Sequence, residues 1–317
     1  MEKHMNMFKT CLCMVIVLSA SVFGGRLAIA ADPLVDVKWL TTNTGKPGVV
    51  IIDTRVPSTY SGSHIPGAVN TGYLKSGWRM LKNGVFSVFP EDPIKLASHI
   101  GSLGIDSNTH VVLVSPGRSS SDIALATRIY WAFKVLGHDN VSILNGGMEA
   151  YRAELDKQGK PANPLVADAT TTEAKVFGVA LREDMLVNEE NVKAAQDRGV
   201  TLIDSRTSDQ YLGINRHIKS KVSGTIPGAK NLPHTWLTVN SGGLFRTKKN
   251  IEMLYSNAGV PLDGEQIYFG NTSDLASVGW FVSSEILGNK KAKLYDGAMI
   301  AWTANDRPVE QKIKITD

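Results

Sequence analysis

Cysteine occurs only at Cys11 and Cys13, so no thiol is available anywhere from residue 14 to the C-terminus. Beyond that point the chain has no disulfide, thiolate metal ligand or thiol nucleophile. Of the seven histidines, none forms an H-x-x-x-H pair, and no metal site is expected. Nothing in the sequence calls for a cofactor. What remains is hydroxyl and charge chemistry in two polar loops. One is Gly270-Asn271-Thr272-Ser273-Asp274, and the other is Ser115-Pro116-Gly117-Arg118-Ser119-Ser120-Ser121. A serine or threonine hydroxyl titrates far above neutral pH and needs a nearby base to attack, and no histidine lies close in sequence to Thr272 or Ser273. The Ser115 loop reads either as an anion pocket built from Ser115, Arg118 and Ser119, or as a surface loop whose Ser121 or Asp122 caps the next helix. It lacks the Gly-Lys-Ser/Thr of a phosphate loop. Asp53-Thr54-Arg55 and Asp204-Ser205-Arg206 read as internal acid–base braces, with Arg206 facing the Gly270 loop as the alternative.

Short apolar strands and helices position these loops. Val49 to Asp53 is a β-branched run ending in an acid, and His110 to Ser115 is a near-continuous apolar run, as in a strand buried on both faces. Helical spacing predicts helices over Pro93 to Leu103 and over Asp122 to Leu136, the latter stopped by Gly137. Val141 to Leu144 is the next strand. A second series follows: strands over Thr201 to Asp204, Gln266 to Phe269 and Lys293 to Tyr295, and helices over Asn250 to Tyr255 and Leu275 to Leu287, the latter before Gly288. Asp274 then reads as the N-cap of that last helix. Strands alternating with helices predict an α/β fold with mainly parallel sheets and helices on both faces. The tryptophans are scattered and read as core or interface residues.

The second series is a copy of the first. VVIIDTR at Val49 to Arg55 returns as TLIDSR at Thr201 to Arg206, and IPGAVN at Ile65 to Asn70 returns as IPGAKN at Ile226 to Asn231. Tyr60 and Tyr211 stand between the paired motifs, and Gly147 and Gly297 close the copies. A repeat this long is a pair of domains rather than a solenoid, whose period is about 20–50 residues. The expected organisation is a signal peptide over 1–30, a first domain over 31–156, a linker over 157–172 and a second domain over 173–317.

Residues 1–30 carry Lys3 and Lys9, then an apolar run from Cys11 to Phe23, then Ala28-Ile29-Ala30, the pattern of an exported chain cut before Ala31. The run is shorter than the roughly 20 residues a membrane span needs, so no stable span is expected in the mature form. The destination is the periplasm if the source is Gram-negative. Three cations against Glu2 place +2 of the formal +4 in that segment, leaving +2 on the rest. A body so near neutrality offers no footprint for nucleic acid.

The ordered set D-x-R, Tyr, H-I-P-G-A-x-N, buried strand with loop and helix, then G-H-x-N-V and G-G, whose D-x-R, Tyr, I-P-G-A-x-N and strand–loop–helix parts return in the second copy, resembles the tandem-domain rhodaneses, the thiosulfate and 3-mercaptopyruvate sulfurtransferases, over about residues 35 to 310. The resemblance implies two tandem rhodanese-like domains. It also implies a second-domain cysteine at a strand's C-terminal end, cradled by inward N–H groups, that carries sulfur as a persulfide. Aligned on Ala276-Ser277, that position is Gly270, and the implied cradle is Asn271, Thr272, Ser273 and Asp274. Asp274 adds a carboxylate where a dianion should enter. Three functions stay open here: a non-catalytic member binding a small sulfur-containing anion or a protein partner, an active sulfurtransferase, and a purely structural domain pair.

Overall fold

The computed structural model describes residues 31–73, 75–82 and 85–315. The expected signal peptide lies outside them. The first half contains β1 (Leu34–Val35), α1 (Val37–Asn43), β2 (Val49–Asp53), α2 (Pro57–Gly62), β3 (Val69–Asn70), β4 (Met80–Lys82), β5 (Val85–Val88), α3 (Pro93–Ser102), β6 (His110–Val114), α4 (Ser120–Val135), β7 (Val141–Leu144) and α5 (Gly147–Ala153). The second contains β8 (Leu186–Val187), α6 (Glu189–Asp197), β9 (Thr201–Asp204), α7 (Ser208–Leu212), β10 (Lys230–Asn231), α8 (Lys248–Asn257), β11 (Gln266–Phe269), α9 (Ser273–Phe281), β12 (Ala292–Tyr295) and α10 (Ala298–Ala304). No described helix is long and apolar enough to cross a membrane.

Each half holds a five-stranded sheet whose paired strands are all parallel. The orders are β1-β7-β6-β2-β3 and β8-β12-β11-β9-β10, the same topology twice. The expected α/β pair of domains is what folds. The hairpin of β4 and β5 was not expected and has no strand counterpart in the second half.

Alternate residues of each strand point to opposite faces, and both faces are buried. On one face Ile51, Val112, Val114 and Leu144 pack in a first-domain core, and Leu202, Ile267, Phe269 and Tyr295 pack in a separate second-domain core. On the other face Ile52, Leu113 and Ile143 join Ile203, Tyr268 and Leu294 in one core running through both domains. α4 and α9 cross between the sheets there, and the Tyr130 and Phe281 rings meet edge to face at 4.9 Å. α4 is apolar on nearly every side because it is buried on nearly every side.

Helix starts departed from expectation in two places, and one helix changes its winding. The cap of α4 is Ser119, whose side chain accepts from the Asp122 amide, rather than Ser121 or Asp122. The last long helix starts at Ser273, two residues before Leu275, so Asp274 lies inside its first turn and the cap position falls to Thr272. After Phe281 it widens into a π-helical turn over Val282–Leu287 and ends at Gly288 with φ of 90°.

The pairing of the closing glycines shifts by one residue. The Met148 amide donates to the Ser115 carbonyl at 2.9 Å, and the Met299 amide to the Gly270 carbonyl at 2.9 Å. Gly147 therefore corresponds to Ala298, and Gly146 to Gly297. Gly147 and Ala298 share a left-handed backbone, with φ of 59° and 50°. The turn's geometry was kept while its glycine was not.

Between the domains, residues 154–182 form no regular element. Val166 pairs with His64, and the amides of Lys175, Ala180 and Arg182 donate to carbonyls of Gly101, Leu136 and Val135 in the first domain. At Gly101 a Cβ would stand 2.3 Å from the Lys175 carbonyl oxygen, so the strap's approach requires glycine.

Candidate functional site

The repeated motif residues form a brace in each domain. Arg55 donates from Nε and Nη2 to the Asp53 carboxylate, and from Nη2 to the Ser63 carbonyl at 2.6 Å. Arg206 does the same with Asp204 and with the Gly224 carbonyl at 2.7 Å. Asn70 and Asn231 tie the same strand ends through side-chain amides, and Tyr60 and Tyr211 donate to the alanine carbonyl of I-P-G-A. All four members of the two Asp–Arg pairs are buried. Arg206 is thus engaged in the brace, and its described hydrogen bonds run to Asp204 and Gly224.

Gly270 is the first residue after β11, at the carboxyl edge of the sheet where open α/β folds place ligands. A Cβ on it would lie 2.9 Å from the Thr272 carbonyl oxygen and 3.6 Å from the Ala276 amide nitrogen. The nearest wall is an acceptor, where an anion cradle needs donors. Asn271 donates to Gln210 at 2.8 Å, and Thr272 Oγ1 donates to the Asp274 carboxylate at 3.1 Å.

Residues of the first domain close the mouth of this loop. Tyr73 donates its hydroxyl to Asp274, and Arg79 Nη1 lies 3.3 Å from the same carboxylate with its guanidinium over the Tyr73 ring. Burial pushes the Tyr73 phenol well above its ordinary range, and the adjoining Asp274 adds to that, so it remains a donor. Arg128, on α4, is fully buried. It donates to Ser273 Oγ at 2.9 Å and to Asp296 at 2.9 Å, and its guanidinium stacks on Trp131 at 4.2 Å. Burial works against that charge, but Asp296, Tyr73 and Asp274 together hold its pKa above the ordinary value. Sequence reading missed Tyr73, Arg79, Arg128 and Asp296. The one available signal was a lone arginine inside the apolar run Ile123 to Val135.

The first-domain loop has its own arrangement. Arg118 is exposed and donates its backbone amide and Nε to Asp122 at 3.0 and 3.2 Å. Ser119 is engaged in capping, while Ser115 Oγ is buried without a partner among the described residues. Gly117 lies under Gly243 of the second domain, where a Cβ on Gly243 would stand 2.2 Å from the Gly117 carbonyl oxygen. Each domain therefore touches the other's loop. The Phe245 amide donates to the Asn145 side chain at 3.0 Å, and the Phe89 amide donates to Asp296, the residue equivalent to Asn145. Among the described residues no group of three or more His, Cys, Asp or Glu is placed to hold a metal.

Two parallel-sheet domains of identical topology, each with a strand-end loop leading into a long central helix, define a tandem rhodanese-type protein. The rhodanese-like domain family matches residues 36–154. A Mycobacterium leprae protein named "Putative thiosulfate sulfurtransferase" is 30% identical, over 86% of this chain and 94% of its own length. The "Sulfur carrier protein TtuD" of Thermus thermophilus is 27% identical over 86% of this chain and 93% of its own. The 3-mercaptopyruvate sulfotransferase SseA of Escherichia coli superposes with a TM-score of 0.71 at 25% identity, covering 84% of this chain and 99% of that one. The chain belongs to the rhodanese family of thiosulfate sulfurtransferase-like proteins.

Proposed function

We propose that this chain is a non-catalytic member of the sulfurtransferase family, exported after cleavage before Ala31, that binds a small sulfur-containing anion or a sulfur-handling protein partner. The observation that carries this reading is Gly270 at the end of β11 in a chain with no cysteine after Cys13. In the family's chemistry, cysteine sulfur bonds the transferred sulfur. Its loss removes the covalent carrier rather than slowing a step. Two features support the same reading. The Thr272 carbonyl occupies the space a side chain at 270 would need, and Asp274 places the chain's own carboxylate between Tyr73 and Arg79.

The names of the relatives favour a second reading, an active sulfurtransferase. One assay separates the two. Mature protein incubated with cyanide and either thiosulfate or 3-mercaptopyruvate should form thiocyanate only at the background rate. Steady formation of thiocyanate would overturn the proposal. N-terminal sequencing of the exported fraction should read Ala31 first, and intact Met1 on cytosolic protein would remove the export claim.

A further inference from the structure

The first domain keeps an open cleft at the place where the second domain is filled. It lies at the carboxyl ends of β2 and β6, has a volume of about 250 Å³, and is lined by Thr54, Arg55, Arg118, Asp122, Glu149 and Arg152 among others. The amino end of α4, a 16-residue helix, opens beside it. A helix end alone would not make a site. The side chains around it carry the argument.

Donor capacity exceeds what the protein uses. Nη1 of Arg55, a residue of the lining, is buried with no hydrogen-bond partner among the described residues. Arg55 cannot turn away, because its other nitrogens are fixed on Asp53 and the Ser63 carbonyl. Its 4% exposure makes it a fixed wall rather than a surface arm. Arg152 reaches only the Ser63 hydroxyl, at 3.1 Å, and enters no ion pair among the described residues. Arg118 meets Asp122 through Nε in a solvent-exposed pair, an interaction worth little that an incoming anion can replace. Unused donors on three guanidiniums call for an acceptor-rich ligand.

The acids limit what that ligand can be. Three arginines against Asp122 and Glu149 leave the lining at +1, and Asp53 behind Arg55 cancels more. Glu149, on α5, enters no ion pair among the described residues and is the carboxylate that most directly opposes an anion.

We propose that this first-domain cleft binds a small inorganic oxyanion of the sulfate or thiosulfate kind, held by Arg118 and Arg152 over the fixed guanidinium of Arg55. The site does not depend on the second domain being inactive. It is tested by isothermal titration of the exported chain with sodium thiosulfate and with sodium sulfate, at ionic strength held constant with chloride. Saturable binding of at least one is expected. The double variant R118A/R152A should weaken it by about tenfold or more, the scale of losing one or two charge-assisted bonds. E149Q should tighten it several-fold, an improvement that misfolding cannot produce. K95A, an exposed residue of α3 outside the lining, should leave it unchanged. Absence of saturable binding for both anions, survival of binding in R118A/R152A, or its loss in K95A would each overturn the proposal. Because heat rather than turnover is read, thiocyanate formation in the separate assay would sink the non-catalytic reading and leave this site standing.

Discussion

The Tyr73 hydroxyl donates to the Asp274 carboxylate across the domain boundary, joining the segment after β3 to the first turn of α9. A family resemblance makes Asp274 look like an obstacle to substrate. The contact makes it a ligand in its own right, one the first domain recognises with a phenol and a guanidinium. Tyr73→Phe and Asp274→Asn should each lower unfolding stability by about 1–2 kcal/mol. Because the two groups touch, the double variant should lose less than the sum. Urea unfolding of the four proteins measures this, and strict additivity would mean the bond contributes nothing.

Gly270→Cys should restore almost no sulfur transfer. The new Cβ would meet the Thr272 carbonyl oxygen at 2.9 Å, so the loop must shift before a thiol fits. Thiocyanate turnover is expected below ~0.1 s⁻¹, about a hundredth of an ordinary enzyme rate. Adding Asp274→Gly removes the opposing carboxylate and should raise the rate above that of either single change. Full activity from the cysteine alone would show the loop adapts freely.

Arg128→Met should be among the most damaging single changes, costing about 3–5 kcal/mol, because it strands the largely buried Asp296 without its cation. Asp296→Asn should cost less. An asparagine keeps an acceptor for the Phe89 amide, as Asn145 does for Phe245. Thermal unfolding of the two variants gives the order, and equal losses would contradict it.

Acid should destabilise the fold partly through His234. Burial lowers its pKa to about 4, below the unfolded value near 6.5. Below about pH 6.5 the unfolded chain takes up a proton that the folded one refuses. The stability that neutral His234 allows is therefore intact above that pH and lost progressively as pH falls toward 4. Other histidines with lowered pKa values act in the same direction, so the measurement is a difference. His234→Gln should flatten the stability–pH slope between 6.5 and 4 by on the order of 2–3 kcal/mol. An unchanged slope would show that the ring finds water or a partner on protonation.

The strands and most helix bodies were legible because burial on both sheet faces leaves apolar runs that only a few elements can satisfy. Val49–Asp53, Val141–Leu144 and Gln266–Phe269 form strands over the residues expected. The motif residues Asp53, Arg55, Tyr60 and Asn70 were legible as a set, and in the fold they brace the backbone. What stayed hidden was the pairing across the domains. Tyr73 and Asp274 are 201 residues apart, and no local periodicity encodes such a contact. The N-cap of α9 was misread because an aspartate there suits both a cap and a distant arginine, and only the tertiary contact decides between them. The one-residue shift at Gly147 arose because a glycine was matched to a glycine, although the left-handed turn of the second copy is made by Ala298.

The core face that α4 and α9 share has a consequence for any attempt to divide this chain. Trp131, Phe133, Trp280 and Phe281 belong to one buried cluster fed from both halves. Cutting within the strap after Glu154 would strip the neighbour from the apolar side of α4 and leave a broad oily face in water, the kind of surface on which fragments clump. Each half carries a complete sheet, yet neither carries a complete interior. Calorimetry should accordingly record one endotherm for the intact chain, and the duplicated halves are better regarded as two halves of one melting unit than as modules on a string.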